Sequence, residues 1–256
     1  MKNILKLILF AFLMTSAVTA QSGDRDKGVE LYNAGNFGNA AKYLELAVKN
    51  ERDIVAFYYL GLTREKSGLS KDAPKAYAKA IENCLKLLEK PITGVVLMPE
   101  TGKDSLKRYV QRIYPNELDA AMKSVEKLEA LNAANSALKD AESKIMTLKF
   151  VTSKPDLQPT EPADASNKQN IKITKNPHPA YSGTAIANRI GGAIRLWVVF
   201  LPNGKIGLAV PINNLPDGLT EASVNAAKGI KFEPALENGK PVTVVKQIEY
   251  GFWTGR

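Results

Sequence analysis

The spacing of apolar residues changes from helical to strand-like near residue 193, and this change restricts the fold more than any other feature. Residues 194–212 predict two alternating strands joined by a Pro-Asn-Gly hairpin turn. An amphipathic helix with Thr220 as its expected N-cap follows, and residues 242–252 predict a last strand. The order strand, strand, helix, strand predicts a small α+β domain over residues 171–256.

A series of short blocks in this region carries a family resemblance. In chain order, the blocks are IRLWVVF (194–200), PNGK (202–205), LPDGLT (215–220), IKFEPA (230–235), NGKPV (238–242) and EYGF (249–252). Their order and spacing closely resemble the C-terminal domain of the TonB family of energy transducers. In that family the domain reaches across the periplasm and binds a short extended segment of an outer-membrane receptor by adding a strand to its sheet. The resemblance therefore implies protein partners, TonB-dependent outer-membrane receptors among them.

The resemblance also implies where a partner would bind. An edge strand offers N–H and C=O groups to an extended peptide, and the last strand and the segment that approaches the domain are the candidates. The candidate partner-binding residues are Tyr181, Thr243, Val245, Gln247 and Glu249. The family carries a Tyr-Pro pair in the approach segment, whereas this chain has Tyr181-Ser182. The alternative interpretation is that these residues only complete the fold.

The N-terminal half contains an internal repeat of small residues. A shift of 33 residues places Gly28 on Gly61 and Leu44 on Tyr77. The same shift aligns Gly35 with Gly68, Ala40 with Ala73 and Ala47 with Ala80. Small residues at this spacing allow antiparallel helices to approach closely, so two helical hairpins are expected. The pattern resembles the tetratricopeptide repeat, which implies a protein-binding scaffold; a generic pair of hairpins is the alternative.

The chain between the repeat and the β-rich region predicts one helix and one linker. Residues 117–148 are expected to form one long helix that packs on the repeats, because its apolar stripe is interrupted; a dimeric coiled coil is the alternative. Residues 151–170 contain three prolines and few apolar residues, which is typical of a flexible linker. The fold class is therefore a multidomain α+β protein, with a helical domain over 21–150 and the α+β domain over 171–256.

Residues 1–20 have the pattern of a secretory signal peptide. Lys2 precedes an apolar run from Leu7 to Met14, and small residues lead to Ala20, where cleavage is expected. A membrane anchor needs about 20 apolar residues, and Lys6 interrupts this stretch. The sequence thus predicts a periplasmic protein, exported by its signal; an uncleaved inner-membrane anchor is the alternative.

Catalytic and cofactor chemistry finds little support in the composition. The chain has one Cys and one His, too few for a Cys/His zinc site. Cys84 lies among apolar helical residues, where a packed thiol is expected, and His178 lies between two prolines. We therefore expect no enzyme activity, no metal and no cofactor.

The net charge of +9 is concentrated in the C-terminal domain, which contains ten basic and five acidic residues. The basic residues are scattered, without the aromatic interleaving of a nucleic-acid platform. The charge therefore favours an acidic protein partner or simple solubility, and not nucleic acid.

Three functions remain open on the sequence alone. The first is an exported adaptor that binds an outer-membrane receptor or another envelope protein by strand addition, with the helical repeats as a second interaction module. The second is a helical-repeat scaffold whose β-domain has been repurposed. The third is an anchored energy transducer for outer-membrane transport.

Overall fold

The computed structural model describes residues 23–50, 52–90, 114–131, 135–153 and 168–253. The predicted signal peptide and most of the predicted linker lie outside the described residues. Among the helices described, none combines the length and apolar character needed to cross a bilayer. The chain forms two compact units, one from Met1–Cys84 with Asn116–Asp140 and one from Leu85–Pro115 with Ala141–Arg256.

The first unit is built of helices. Helix α1 spans 23–33, α2 Phe37–Ala47 and α3 Ile54–Lys66. Helix α4 spans Ala73–Leu88, and α5 spans Pro115–Glu129. The side chains of Asn36 and Asp53 cap α2 and α3 by accepting the N–H groups of Asn39 and Ala56. Gly35 and Gly68 hold positive φ angles at the two hairpin turns, as the repeat predicts.

The small residues of the repeat make the same contact in each copy. A Cβ atom at Gly28 would lie 2.7 Å from Leu44 Cγ, and one at Gly61 would lie 2.3 Å from Tyr77 Cε1. Tyr77 also donates a hydrogen bond of 2.8 Å to Glu65, whose second carboxylate oxygen accepts one of 2.7 Å from Lys127 of α5. Two hairpins with matching contacts are therefore present, while their membership of the tetratricopeptide family stays a prediction.

The expected long helix is wrong in one respect, because the structure has two helices. Helix α5 ends at Glu129, and α6 spans Ser136–Ser153. The side chain of Asn135 accepts the N–H of Ala137 at 3.0 Å, at the start of α6. Because asparagine competes with helical backbone hydrogen bonding, it favours the start of α6 over a continuation of α5. The interrupted apolar stripe in the sequence was the sign of this break.

Thr63 supplies a stability prediction for the first unit. It lies in α3 with no exposed surface, and its Oγ1 makes no hydrogen bond within the described structure. Thr63→Val keeps the shape and removes the unsatisfied hydroxyl, so we expect the free energy of unfolding to rise by about 1 kcal/mol. Urea unfolding of the full chain measures this. Thr63→Ser, which keeps the hydroxyl and removes the methyl group, is the matched control; a valine variant no more stable than the parent would contradict the prediction.

The second unit holds all the described strands. They are β1 (Lys168–Gln169), β2 (Lys172–Lys175), β3 (Gly192–Phe200), β4 (Ile206–Pro211), β5 (Lys231–Glu233), β6 (Ala235–Glu237), β7 (Lys240–Val242) and β8 (Val244–Phe252). Two short helices, α7 (Gly183–Ala187) and α8 (Leu219–Lys228), complete the unit together with most of α6. The predicted order of strand, strand, helix and strand is present as β3, β4, α8 and β8. Helix α6 and strand β1 extend regular structure into both ends of the predicted linker.

The main sheet has the antiparallel order β4-β3-β8, with β3 in the centre. One face carries Ile194, Leu196, Val198 and Phe200 into a core shared with Leu219 and Ala227 of α8. The helix begins at Leu219 with Gly218 as its N-cap, so the expected capping role of Thr220 is wrong. The Thr220 hydroxyl instead accepts the N–H of Leu215 at 2.9 Å and ties the helix to the loop before it.

Candidate functional site: the outer edge of strand β8

The direction of each backbone hydrogen bond in the sheet follows from one observed bond. The N–H of Ile212 donates to the carbonyl of Arg195 at 2.8 Å. Hydrogen-bonded and non-bonded pairs alternate along an antiparallel ladder, so Trp197 and Val199 also bond towards β4. The intervening residues of β3, namely Ile194, Leu196, Val198 and Phe200, therefore bond towards β8.

The outer edge of β8 follows from the same alternation. The partners of those β3 residues are Val244, Lys246, Ile248 and Tyr250, whose backbone groups are used within the sheet. The N–H and C=O groups of Gln247, Glu249 and Gly251 must then point away from β3. No other described strand pairs with β8 on that side. The structure thus presents a row of outward N–H and C=O groups over the second half of β8.

The side chains predicted for this strand have unequal exposure. Gln247 and Glu249 are exposed on the sheet face opposite α8. Val245 is only 1 % exposed, because it lies across from Val199 on a part of that face which is covered. Thr243 is half-buried between β7 and β8. The side chains of Gln247 and Glu249 are therefore accessible to a partner, whereas that of Val245 faces protein.

Tyr181 lies beside the end of β8. Its ring makes an edge contact with Phe252, with ring centroids 5.3 Å apart, and its hydroxyl donates a hydrogen bond to the carbonyl of Ile190. Ser182, which stands where the resembling family has proline, caps α7 by accepting the N–H of Ala185 and donates to the carbonyl of Asp217. The approach segment is thus fixed to the end of the sheet, and whether Tyr181 contacts a partner stays a prediction.

Sequence reasoning missed two residues at this edge. Gly251 continues the row of outward backbone groups, and Trp253 follows it with 81 % of its surface exposed. A Cβ atom at Gly251 would lie 2.8 Å from Trp253 Nε1, so the indole lies across the glycine. Extending the alternation from Gln247 and Glu249 by one more step would have found Gly251. The exposure of Trp253 has no comparable signal in the sequence.

Three carboxylates of the C-terminal unit are paired with cations. Glu249 pairs with Arg195 at 3.7 Å, Glu233 with Lys172 at 3.2 Å, and Glu237 with Lys168 at 3.0 Å. These three carboxylates of the domain are therefore already balanced by cations. The ten basic residues of the predicted domain over 171–256 outnumber its five acidic ones, so a basic excess remains beyond these pairs.

The described residues outside this edge offer little catalytic chemistry. Burial raises the pKa of the Cys84 thiol to about 12, so the thiolate nucleophile is scarce at neutral pH. His178 is exposed in an irregular segment. The described side chains include no group of three or more His, Cys, Asp or Glu residues able to hold a metal ion.

Comparison with known proteins identifies the domain that carries this edge. Residues 177–252 match the family model described as Gram-negative bacterial TonB protein C-terminal. A solved structure, the solution NMR structure of the Pseudomonas aeruginosa TonB C-terminal domain, aligns at 23 % identity and a TM-score of 0.28, covering 35 % of this chain and 88 % of that one. No curated protein matches the chain. The match to the family model confirms the sequence resemblance to the TonB C-terminal domain for residues 177–252.

Proposed function

We propose that this protein is an adaptor of the bacterial cell envelope that binds a partner protein by strand addition to the outer edge of β8. The observation that carries the proposal is the row of outward N–H and C=O groups at Gln247, Glu249 and Gly251 within a domain that matches the TonB C-terminal family. An extended segment pairs with such a row through main-chain hydrogen bonds. Outer-membrane receptors of the TonB-dependent kind are the proposed partners.

The helical unit gives the adaptor a second attachment. Its repeated hairpins carry exposed apolar side chains at Tyr43, Leu46 and Leu69 beside polar ones. A scaffold of this kind would hold one protein while β8 holds another. Export by the signal peptide, with cleavage after Ala20, places the adaptor in the periplasm in this proposal. N-terminal sequencing of the protein from fractionated cells tests the export step: a chain that begins at Gln21 supports it, and an intact Met1 would favour the anchored transducer.

Gln247→Pro tests strand addition at β8. The N–H of Gln247 points outward, so proline removes a donor to the partner without removing a hydrogen bond inside the sheet. We expect the full-length variant to bind peptides copied from the N-terminal segments of TonB-dependent receptors at least about tenfold more weakly. Isothermal titration calorimetry measures the affinity.

Gln247→Ala is the matched control, because it removes the side chain and keeps the N–H group. It should bind within about threefold of the parent if main-chain pairing dominates. Both variants should unfold at the temperature of the parent. Equal binding by the parent and the proline variant, or no binding by the parent at millimolar peptide, would contradict strand addition at this edge. Capture of the main partners by the helical unit alone would favour the scaffold with a repurposed β-domain.

A further inference from the structure

The end of strand β8 has an exposed indole beside its row of outward backbone groups. Trp253 has 81 % of its surface exposed, more than any other large hydrophobic residue among those described. A Cβ atom at Gly251 would lie 2.8 Å from Trp253 Nε1, 3.4 Å from Cε2 and 3.6 Å from Cζ2. The indole therefore occupies the space that a side chain at Gly251 would take. Because side chains project from the faces of a sheet, the indole lies on one face of the sheet and not in its plane.

This placement leaves the backbone groups of Gly251 open to an incoming strand. Gly251 lies opposite Ala193 in a pair that exchanges no hydrogen bonds, so its N–H and C=O groups point away from β3 within the plane of the sheet. The indole stands out of that plane, over the glycine. Trp253 thus lies beside the path of an incoming strand and leaves its main-chain hydrogen bonds free to form.

The register of a strand added at β8 decides which of its side chains meets the indole. Residues directly opposite each other in adjacent strands project their side chains to the same face, with Cβ atoms about 4.5–5.5 Å apart. The side chain paired with Gly251 therefore lies on the face that carries Trp253. The residues at this level of the sheet are small, since Gly251 has no side chain and Ala193 opposite it has only a methyl group. A large side chain of the incoming strand therefore has room beside the indole.

The neighbours of this position favour an aromatic side chain. Arg195 and Glu249 are the next residues along the same face, and they pair with each other at 3.7 Å. Their charges are therefore balanced, and an incoming charged group would find no unbalanced opposite charge there. An aromatic ring instead buries apolar area against Trp253 and can make the edge or offset contact that aromatic pairs prefer.

We propose that Trp253, lying over Gly251, forms a contact site that selects incoming strands with an aromatic side chain in register with Gly251. This Trp253 site makes Trp253 a specificity-determining residue that touches the partner. The inference rests on the proposed function, because it states which extended segments the edge of β8 prefers. The stretch that matches the TonB family ends at residue 252, so the family match itself assigns no role to Trp253.

A double-mutant cycle between protein and peptide tests the Trp253 site. The protein is the full chain, and the probes are the receptor peptides described above, with one position at a time changed to phenylalanine, alanine or arginine. For the parent, we expect one position at which phenylalanine binds at least about tenfold more tightly than alanine. In Trp253→Ala this preference should fall below about threefold, because the peptide ring has lost its neighbour. Isothermal titration calorimetry measures the affinities.

Two control variants separate the Trp253 site from a general effect on the protein. Trp253→Phe keeps an aromatic ring and should retain the preference for phenylalanine within about threefold. Leu69→Ala removes an exposed apolar side chain of the helical unit and should leave peptide binding unchanged. A Trp253→Ala variant that keeps the full preference would overturn the proposal. Tighter binding of arginine than of phenylalanine at the selected position would overturn it as well.

Fluorescence quenching of the parent tests the same contact without a variant. Trp253 is exposed and Trp197 is half-buried, so acrylamide should quench mainly the emission of Trp253. Saturation with the phenylalanine peptide should shift the emission to shorter wavelength and lower the quenching constant more than saturation with its alanine counterpart. Unchanged emission and quenching with the phenylalanine peptide bound would overturn the Trp253 site.

Gln247→Pro separates this inference from the proposed function. A phenylalanine preference that requires Trp253, in a protein whose binding Gln247→Pro does not weaken, would retain Trp253 as the selecting residue and reject strand addition at β8. Binding that Gln247→Pro weakens, without a phenylalanine preference that depends on Trp253, would retain the adaptor and reject the Trp253 site. A parent that binds none of the peptides at millimolar concentration would overturn both.

Discussion

Gly61→Ala is expected to lower the free energy of unfolding of the helical unit by about 3 kcal/mol. The added Cβ would lie 2.3 Å from Tyr77 Cε1, and the Tyr77 ring cannot move away easily. That ring is 1 % exposed, and its hydroxyl is bound to Glu65, which also holds Lys127. The substitution therefore forces α3 and α4 apart at the point where the repeat brings them closest. Urea unfolding monitored by circular dichroism measures the loss.

Gly38→Ala is the matched control for this substitution. Gly38 lies in helix α2, and no atom comes within 4 Å of a Cβ placed there. Alanine should therefore stabilise the chain by about 0.5–1 kcal/mol, through the lower entropy of the unfolded state and better helix propensity. If Gly61→Ala were as stable as Gly38→Ala, the close approach of the two helices would be wrong.

Gly207→Ala is expected to destabilise the C-terminal unit by about 2 kcal/mol. Its Cβ would lie 2.3 Å from Thr147 Oγ1, and Thr147 is fully buried, with its hydroxyl donating to the carbonyl of Ser143. The substitution should loosen α6 from the sheet and expose apolar residues on the face that α6 helps to cover. Thermal unfolding of the full chain and binding of a hydrophobic dye measure these two effects.

The double variant Gly207→Ala with Thr147→Ala tests the cause. Removing the Thr147 hydroxyl and methyl groups makes room for the new Cβ, so the double variant should recover at least about 1 kcal/mol relative to Gly207→Ala. Thr147→Ala alone gives the cost of the lost side chain. If the two substitutions were simply additive, the contact between α6 and β4 would not be the reason for the destabilisation.

Part of the sheet face opposite α8 is buried by other residues of the protein, and this burial explains why the predicted binding residues of β8 differ in exposure. Val199, Leu208 and Val210 are at most 2 % exposed, although they lie on the face opposite α8. Val245 shares this face and is buried with them. Their alternation with core residues predicted strands correctly, but alternation alone does not tell whether the second face meets water or a helix.

Several elements of the fold are determined by residues that are close together in the sequence, and these elements could be predicted. The alternation of residues 194–200, the Pro-Asn-Gly turn and the Asn238-Gly239 turn, whose φ angles are 53° and 75°, all specify conformation within a few residues. Gly28 and Gly61 likewise each make their close contact within a single pair of adjacent helices. Such features depend on neighbours in the chain, so the residues themselves are sufficient evidence.

Tertiary structure alone decided how the second face of the main sheet is covered. Thr147 of α6 lies over Gly207 of β4, although the two residues are far apart in the sequence. The sequence by itself determined that strands β3, β4 and β8 would form, because alternation and turn residues act within a few positions of each other. The packing of α6 decided which side chains of those strands are buried, since the periodicity of a strand does not show what lies over either of its faces.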